Sequence, residues 1–181
     1  MERKQFLRNG FMAALGFATV APVIKSCNKN DSTGTGDTGE SSGDCSVTPT
    51  ETAGPFPTKS PSSLVTNDIR SDRQGVPLNV KITVNNNKNN CAALEGAIVD
   101  IWHCDKDGNY SEYGGSGMQS SNYTSVHFLR GRQTTDASGV VTFTSVFPGW
   151  YPGRAPHIHV HIYSAGGSSL LVTQIAFPAD I

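Results

Sequence analysis

The chain has 181 residues, which suffice for one domain and a tail but not for two ordinary domains. Its 14 Lys and Arg residues nearly balance 15 Asp and Glu residues, and the formal net charge of -1 favours neither a nucleic-acid-binding protein nor an acidic cation store. No run approaches the roughly 20 apolar residues that span a membrane as a helix. The 19 glycines, the 10 prolines and the short runs of Val, Ile, Thr and Tyr favour an all-β domain with abundant turns.

The first 27 residues have the features of an export signal. A basic stretch at residues 3–8 precedes a mildly apolar run at residues 10–24, which ends close to Cys27. Residues 24–27 resemble a lipobox, which implies cleavage before Cys27 and acylation of its thiol. Two alternatives remain: cleavage nearby without lipid attachment, and a short anchor helix that is not cleaved. The sequence thus predicts an exported bacterial lipoprotein, periplasmic or at the outer surface, that touches the membrane only through the lipid.

The segment that follows, residues 28–44, consists almost entirely of small and polar residues and contains no aromatic residue. Such a composition cannot bury enough apolar surface to fold and predicts a flexible linker. The folded domain is therefore expected at residues 45–181.

The cysteines agree with export but leave their pairing open. If Cys27 carries a lipid, the odd number of three cysteines remains. Cys91 and Cys104 bracket an apparent strand that would hold them about 40 Å apart, beyond the reach of a disulfide unless the chain bends back. Cys45 could pair with either, so one free or intermolecular thiol is expected.

Alternating and continuous apolar patterns predict six strands in the domain. They are expected at residues 78–84, 96–103, 128–133, 140–147, 157–163 and 170–177. Clusters of Asn, Asp, Ser, Gly and Pro predict turns at residues 85–90, 105–108, 135–139 and 148–149. No segment of this region has the pattern of an amphipathic helix. The expected fold is an antiparallel β-sandwich.

The fifth predicted strand contains His157 and His159, which are two residues apart and therefore project from the same face. One metal ion could contact both imidazoles, but paired histidines also occur as ordinary half-buried side chains, and His161 extends the series. Tyr151 and Arg154 lie just upstream, across a Pro-Gly turn that can bring them back to the same place. Phenolate and guanidinium groups suit an oxidised metal that handles an anionic aromatic substrate.

Several short motifs occur in a fixed order between about residue 50 and residue 177. They are T-E-T-A-G-P-F at 50–56, D-I-R at 68–70, V-D-I-W-H at 99–103, G-N-Y-S at 108–111, L-R-G at 129–131, T-D-x-x-G at 135–139, W-Y-P-G-R-A-P-H-I-H at 150–159 and T-Q at 173–174. This series resembles the intradiol ring-cleavage dioxygenases, non-haem iron(III) enzymes that open catechols between their two hydroxyl-bearing carbons.

The resemblance implies an iron site with two tyrosine and two histidine ligands. Carried over by motif, the ligands are Tyr110, Tyr151, His157 and His159. Arg154 matches the arginine that faces the substrate in this family, and Gln174 matches a glutamine that lines the same pocket. The remaining candidates match no ligand position and are expected to be structural: His103, His161, Tyr113, Tyr123 and Tyr163. For His161 a role in supporting the ligands is kept as an alternative.

The same resemblance implies the cofactor and the reaction. Two phenolates and a hydroxide favour Fe(III) over Fe(II). In this family Fe(III) binds both oxygens of a catechol and makes the ring susceptible to attack by dioxygen. The implied product is a muconate-type diacid. Tyr151 is implied to leave the iron and accept a substrate proton, and Arg154 to stabilise negative charge that develops on the ring. The implied partners are a catechol-type molecule, dioxygen and, as in relatives that associate through their N-terminal regions, further copies of the chain.

Two departures from the family pattern affect the pocket. The sequence ends at Ile181, soon after the Gln174 strand, whereas family members usually continue through further strands, so a sandwich that is short at its C-terminal edge is expected. The spacer between Tyr151 and His157 is shorter than in the well-known aromatic-degrading members and resembles that of exported relatives. Because this loop helps to shape the pocket, the resemblance does not define which catechol is the substrate.

Two other classes share part of the pattern. Transthyretin-like β-sandwiches, which are non-catalytic surface or carbohydrate-binding modules, contain similar turns, but they require neither Arg154 nor the paired histidines and give Tyr110 no role. A cupin-type site with ferrous iron or zinc needs a carboxylate ligand, and no Asp or Glu stands at a fitting position beside His157 and His159. A coloured tyrosinate–iron(III) protein would differ visibly from either alternative.

Overall fold

The computed structural model describes residues 45–151 and 153–178. The predicted export signal, the linker and the lipidation site at Cys27 lie outside the described residues. Within these ranges the chain forms one short 3-10 helix, Pro61–Ser63, and eight strands: β1 Pro77–Thr83, β2 Asn85–Asn86, β3 Ala92–Ala93, β4 Ile98–Trp102, β5 Arg130–Thr134, β6 Val140–Val146, β7 His157–Tyr163 and β8 Ser169–Ala176. None of the helical structure described here is long and apolar enough to cross a membrane.

The strands form three antiparallel sheets. The largest has the order β5-β4-β7-β8, a second pairs β1 with β6, and the short strands β2 and β3 form a hairpin. The candidate histidines lie on β7, which is an inner strand with neighbours on both sides. Their backbone positions are consequently fixed by two ladders of hydrogen bonds.

The apolar core contains side chains from both larger sheets. Its members include Val99 and Ile101 of β4, Ile158, Val160 and Ile162 of β7, Val80 of β1, and Val141 and Phe143 of β6. Each fully buried side chain of this kind stabilises the fold by about 1.5–3 kcal/mol. The antiparallel β-sandwich predicted from the sequence is confirmed.

Successive side chains of a strand project from opposite faces, so the inward Ile158, Val160 and Ile162 determine where the β7 histidines lie. His157, His159 and His161 occupy the other face of the four-stranded sheet, away from the apolar core. The candidate site is thus built on the outer face of this sheet, and loops must cover that face to bury the two histidines.

The predicted strands occur with bounds that differ by one or two residues where the backbone prevents extension. β4 begins at Ile98 and not at residue 96, because Gly96 has a φ of +75°. β5 begins at Arg130, since Leu129 has a φ of +57°, in the left-handed region. The Asn-rich stretch predicted as a turn begins with strand β2, which pairs with β3.

One disulfide joins Cys45 to Cys91, across 46 positions of the sequence. It links the first described residue to the β2–β3 hairpin. Cys104 has a free, buried thiol, whose pKa burial raises to about 12. The sequence left the partner of Cys45 open and predicted one free or intermolecular thiol; in the structure Cys91 is the partner, and Cys104 is the free thiol.

Candidate metal centre

The imidazole of His159 is positioned by the strands on both sides of β7. His159 lies opposite Trp102 of β4 and Gln174 of β8 in the sheet. Its ring stacks on the Trp102 indole, with centroids 5.0 Å apart and planes 5° from parallel. Gly54 approaches the same imidazole so closely that an added Cβ would lie 2.8 Å from Cε1. These contacts leave the ring little freedom to rotate.

The two histidines direct the same nitrogen at a common point. Their Nε2 atoms are 3.1 Å apart. Nδ1 of His157 is 2.7 Å from the carbonyl oxygen of Ala155. Because a carbonyl only accepts, this Nδ1 carries the proton, and Nε2 of His157 is left with its lone pair. A hydrogen bond of this kind fixes the tautomer of a metal-ligating histidine in metalloproteins.

The structure brings the two candidate tyrosines to the same place. Tyr110 is fully buried, and its Oη lies 3.5 Å from Nε2 of His157. Its ring stacks on Phe56, with centroids 4.7 Å apart. Tyr151 is half-buried, and its ring centroid lies 5.9 Å from that of His157 and 6.0 Å from that of Tyr110. All four side chains that the motifs nominate as ligands therefore converge.

Arg154 and Gln174 also meet, at the rim of this group. Arg154 Nη2 donates a short hydrogen bond to Gln174 Oε1, and Gln174 Nε2 donates to the carbonyl of Thr52 at 2.8 Å. Arg154 is exposed to solvent. The two residues that were expected to face the substrate are thus linked to each other and to the N-terminal part of the domain.

A buried arginine connects the segments that carry Phe56 and Tyr110. Arg130 donates to the carbonyl oxygens of Phe56 and Ser111, at 3.0 and 2.6 Å, and its Nε donates to Ser111 Oγ. Burial lowers the pKa of Arg130 to about 10, although the nearby Glu112 carboxylate opposes this shift. At neutral pH the guanidinium remains charged and acts as a permanent cross-link between the two segments.

The surroundings keep both histidines neutral. Burial lowers the pKa of His159 to about 3, with smaller contributions from unfavourable electrostatic interaction with the neighbouring His157 and from the positive charge of Arg154. Burial also lowers the pKa of His157, and Arg154 adds to that shift. Neutral imidazole is the form that binds metals. Burial raises the pKa of Tyr110, so this phenol keeps its proton unless a cation replaces it.

The other histidines of the sequence series have different partners. His161 Nε2 is 2.8 Å from Ser169 Oγ, and the ring stacks on Tyr163, whose Oη is 2.9 Å from Nδ1. His103 is fully buried, with its nitrogens 2.8 Å from the Cys104 carbonyl and 2.7 Å from Ser145 Oγ. These hydrogen bonds account for both rings without a metal.

Three of the four convergent side chains present donor atoms at spacings that suit one metal ion. With metal–nitrogen bonds of about 2.0–2.1 Å, neighbouring ligands at angles of about 90–120° are about 2.9–3.6 Å apart. The separations of 3.1 Å between the Nε2 atoms and 3.5 Å between Nε2 and the Tyr110 Oη fall in that range. Within the described ranges, no group of three or more His, Cys, Asp or Glu side chains could hold a metal ion; the candidate ligand set here joins two histidines to two tyrosines.

Sequence reasoning did not assign a role to several residues that shape the site. Gly54, Phe56 and Arg130 belong to the motifs quoted above, but only the fold shows that they pack on His159, stack on Tyr110 and join the two segments. Gln119 carried no sequence signal, yet its buried amide bonds to the main chain of Tyr110. The contacts of Gly54, Phe56 and Arg130 link positions far apart in the chain, and that of Gln119 spans an irregular loop; no local sequence pattern reports either kind.

The β-sandwich brings two tyrosines and two histidines together over the outer face of the four-stranded sheet, and comparison with known proteins identifies the family. A family model described as Dioxygenase matches residues 53–181. The chain belongs to the intradiol ring-cleavage dioxygenase family, as its motifs predicted.

Individual relatives agree with this assignment. The intradiol ring-cleavage dioxygenase of Tetranychus urticae is 35% identical with a TM-score of 0.67, over 75% of this chain and 67% of that chain. The dioxygenase domain of a carbohydrate-binding fusion protein from Streptomyces sp. SirexAA-E is 31% identical with a TM-score of 0.57, over 72% and 75%. Chlorocatechol 1,2-dioxygenase of Rhodococcus opacus is 30% identical over 48% of this chain and 38% of its own. The chain spans about two-fifths of the length of the curated relatives it matches.

Proposed function

We propose that the protein is a non-haem Fe(III) dioxygenase that opens a catechol-type aromatic diol between its hydroxyl-bearing carbons. The observation that carries this proposal is the convergence of Tyr110, Tyr151, His157 and His159 on one point of the outer sheet face. Membership of the intradiol family supports it. A transthyretin-like spacer shares the sandwich but gives no reason for a buried phenol 3.5 Å from an imidazole nitrogen.

The four side chains are proposed to hold the metal in defined roles. His157 and His159 provide neutral Nε2 lone pairs, and Tyr110 and Tyr151 provide phenolate oxygens after losing their protons. Two anionic ligands of this kind stabilise the ferric over the ferrous state. Bound Fe(III) supplies a Lewis acid that holds both catechol oxygens and makes the ring reactive towards dioxygen.

The remaining steps are assigned to residues of the chain. Tyr151, the less buried of the two tyrosines, would accept one catechol proton on its Oη when the substrate binds. Arg154 places a fixed positive charge beside the ring and stabilises the negative charge that develops on it. Gln174 aims Arg154 by accepting its hydrogen bond. In the overall reaction one carbon–carbon bond breaks, and both oxygen atoms of dioxygen enter the resulting muconate-type diacid.

We further propose that the protein acts outside the cytoplasm, anchored through a lipid at Cys27. The Cys45–Cys91 disulfide supports export, because such bonds persist in oxidising compartments and are rare in the cytosol. Export would bring the domain into contact with phenolic molecules from the surroundings of the cell. Association of several copies remains part of the proposal.

Labelled dioxygen provides the test of the reaction. The full chain, loaded with Fe(III), is mixed with catechol under oxygen-18-labelled dioxygen, and the product is analysed by mass spectrometry. The proposal expects a muconate-type diacid with one labelled oxygen in each new carboxyl group. A product without the label, or an aldehyde product of extradiol cleavage, would contradict the proposal. Failure to convert either catechol or any of a set of substituted catechols would also contradict it. The Tyr110→Phe variant, treated identically, is the control for reaction by loosely bound iron.

A further inference from the structure

Tyr110 lies outside the sheets that position the other candidate ligands. It belongs to the irregular segment 103–129 between β4 and β5, whereas His157 and His159 are held by strand ladders on both sides. No backbone–backbone hydrogen bond involves the main-chain N–H or C=O of Tyr110 in the described part of the chain. A buried donor and acceptor without partners would each cost about 1–3 kcal/mol. Something other than secondary structure must hold this backbone.

The side chain of Gln119 provides both missing partners. Its Oε1 accepts the Tyr110 N–H at 2.6 Å, and its Nε2 donates to the Tyr110 carbonyl at 2.9 Å. One amide group thus pairs with both sides of a single residue, as a neighbouring strand would. The same Nε2 lies 3.0 Å from the carbonyl of Tyr113 and 3.1 Å from that of Ser121.

The burial of Gln119 contrasts with the loop around it. Gln119 is 6% exposed, whereas Met118 is 68% exposed and Ser120 and Ser121 are also exposed. Removing an amide group from water is unfavourable unless its polar atoms form hydrogen bonds in the protein. The hydrogen bonds of Gln119 offset this desolvation cost. The surface loop is therefore fastened to Tyr110 through Gln119.

We propose that Gln119 is a positioning residue that holds the Tyr110 phenol at the metal centre by bonding to the Tyr110 main chain. This inference rests on the proposed Fe(III) site. Phe56 stacks on the Tyr110 ring but does not restrain its peptide groups. Two hydrogen bonds to opposite sides of one residue fix the rotation of its backbone and hence the direction of its side chain. Because ligand geometry tolerates only about 0.5 Å of displacement, loss of this clamp moves the phenol out of range.

Two variants separate positioning from general support. Gln119→Met keeps the length and volume of the side chain but removes all its hydrogen bonds. Gln119→Glu keeps an acceptor for the Tyr110 N–H but removes the donor to the three carbonyl groups. Gln133→Glu is the matched control, because this half-buried glutamine of β5 also donates through Nε2 to one main-chain carbonyl, that of Thr142, at 2.9 Å.

The experiment measures iron affinity by chelator competition and visible absorbance per bound iron, together with the thermal midpoint. We expect iron affinity to fall at least about tenfold in both Gln119 variants, equivalent to 1.4 kcal/mol.

The tyrosinate band should change towards that of Tyr110→Phe, more in Gln119→Met than in Gln119→Glu. Adding Gln119→Glu to Tyr110→Phe should change the spectrum no further. A lower midpoint with a wild-type spectrum and affinity would overturn the proposal, because it indicates structural support alone.

A metal-free measurement keeps this inference distinct from the proposed function. In the wild-type protein without iron, the Tyr110 amide should exchange its hydrogen about as slowly as strand amides such as that of Val160, and Gln119→Met should accelerate it at least about tenfold. Rapid exchange in the wild type, or no acceleration in the variant, would overturn the clamp whatever iron does. If the exchange behaves as expected but the wild type binds no iron, the proposed function fails and with it the metal-positioning role.

Discussion

His159 shows how the site depends on single contacts. Its imidazole stacks on Trp102, lies against the backbone of Gly54, and directs Nε2 at Nε2 of His157. Burial among these groups lowers its pKa to about 3, so the ring is ready to bind a cation at neutral pH without first losing a proton. A ring held in one orientation and one protonation state is a preorganised ligand.

Gly54→Ala should disturb this ligand more than it disturbs the fold. Gly54 has a φ of +68°, and the new Cβ would lie 2.8 Å from Cε1 of His159. Gly167→Ala is the control, because Gly167 has a φ of +84° but nothing within 4 Å of an added Cβ. Both variants should lose about 1–2 kcal/mol of stability from the left-handed backbone.

Only Gly54→Ala should also weaken iron binding, by at least about tenfold. Chelator competition measures the affinity, and urea unfolding measures the stability. Equal iron affinities in the two variants would show that the close approach of Gly54 to His159 has no functional consequence.

Arg154→Ala should slow ring opening without removing the metal. Arg154 contributes positive charge beside the site but is not among the four convergent ligands, so the visible band of the iron-loaded protein should persist. Loss of a preorganised charge at a reacting centre costs about 100-fold in turnover. Arg70→Ala, which removes an exposed arginine paired with Asp68, serves as the control.

Oxygen uptake with catechol measures the effect. Turnover of Arg154→Ala equal to that of Arg70→Ala would remove Arg154 from the mechanism. Arg154→Lys should recover only part of the loss, since a lysine keeps the charge but not the planar donor pair that Gln174 orients.

At the scale of elements, the N-terminal segment of the domain, residues 45–56, links the disulfide to the candidate metal centre. From Cys45 it runs beside β8, where the Glu51 N–H donates to the Val172 carbonyl at 2.8 Å and the Thr52 carbonyl accepts from Gln174. It then reaches the site, where Gly54 contacts His159. The segment forms no strand of its own, so the disulfide at its start replaces part of the restraint that a sheet would supply.

Removing this disulfide should loosen the segment and weaken the site. The bond closes a loop of 46 residues, and its loss typically costs about 2–4 kcal/mol. The Cys45→Ser/Cys91→Ser double variant should therefore unfold at lower urea concentration, exchange the Glu51 amide hydrogen faster and bind iron more weakly. Reduction of the metal-free wild type should reproduce the changes in unfolding and exchange, and reductant should not affect these two properties of the metal-free double variant. Unchanged exchange at Glu51 would show that the segment is held by its contacts with β8 alone.

Strands were the most predictable part of this molecule, because alternation of apolar side chains reports directly which face is buried. All six predicted strands occur. The strand bounds were less predictable, because a single residue such as Leu129, with its positive φ, limits a strand without any compositional signal.

The paired histidines could be placed on one face from spacing, but the sequence could not show that Tyr110 lies 3.5 Å from His157, since the two residues are 47 positions apart. Gln119 lies only nine positions from Tyr110, but its role depends on the fold of an irregular loop and had no sequence signature.

At the scale of the whole molecule, buried histidines couple folding to pH. Burial lowers the pKa of His103 to about 4, from an ordinary value of 6.5. Between those values the unfolded chain binds a proton that the folded chain excludes, so stability is complete above about pH 6.5 and is lost as the pH falls towards 4. The pKa of His159 and that of His157 are lowered in the same direction.

The metal-free protein should therefore lose stability on mild acidification. His103 alone should account for about 2 kcal/mol between pH 7 and pH 5, and the other two histidines should add to this loss. Urea unfolding at pH 7, 6 and 5 provides the measurement, in a range where carboxylates hardly titrate. A free energy of unfolding that is constant or rises as the pH falls would contradict the burial of neutral histidines.

The claim on which the account depends is that Tyr110, Tyr151, His157 and His159 form one Fe(III) centre with room for a substrate. The most direct measurement is the visible absorption spectrum of the purified full chain with its iron content, before and after addition of catechol without dioxygen. We expect a broad tyrosinate–iron(III) band that moves to longer wavelength with catechol and is weakened in Tyr110→Phe. A correctly folded protein that remains colourless and free of iron after ferric loading would contradict the account.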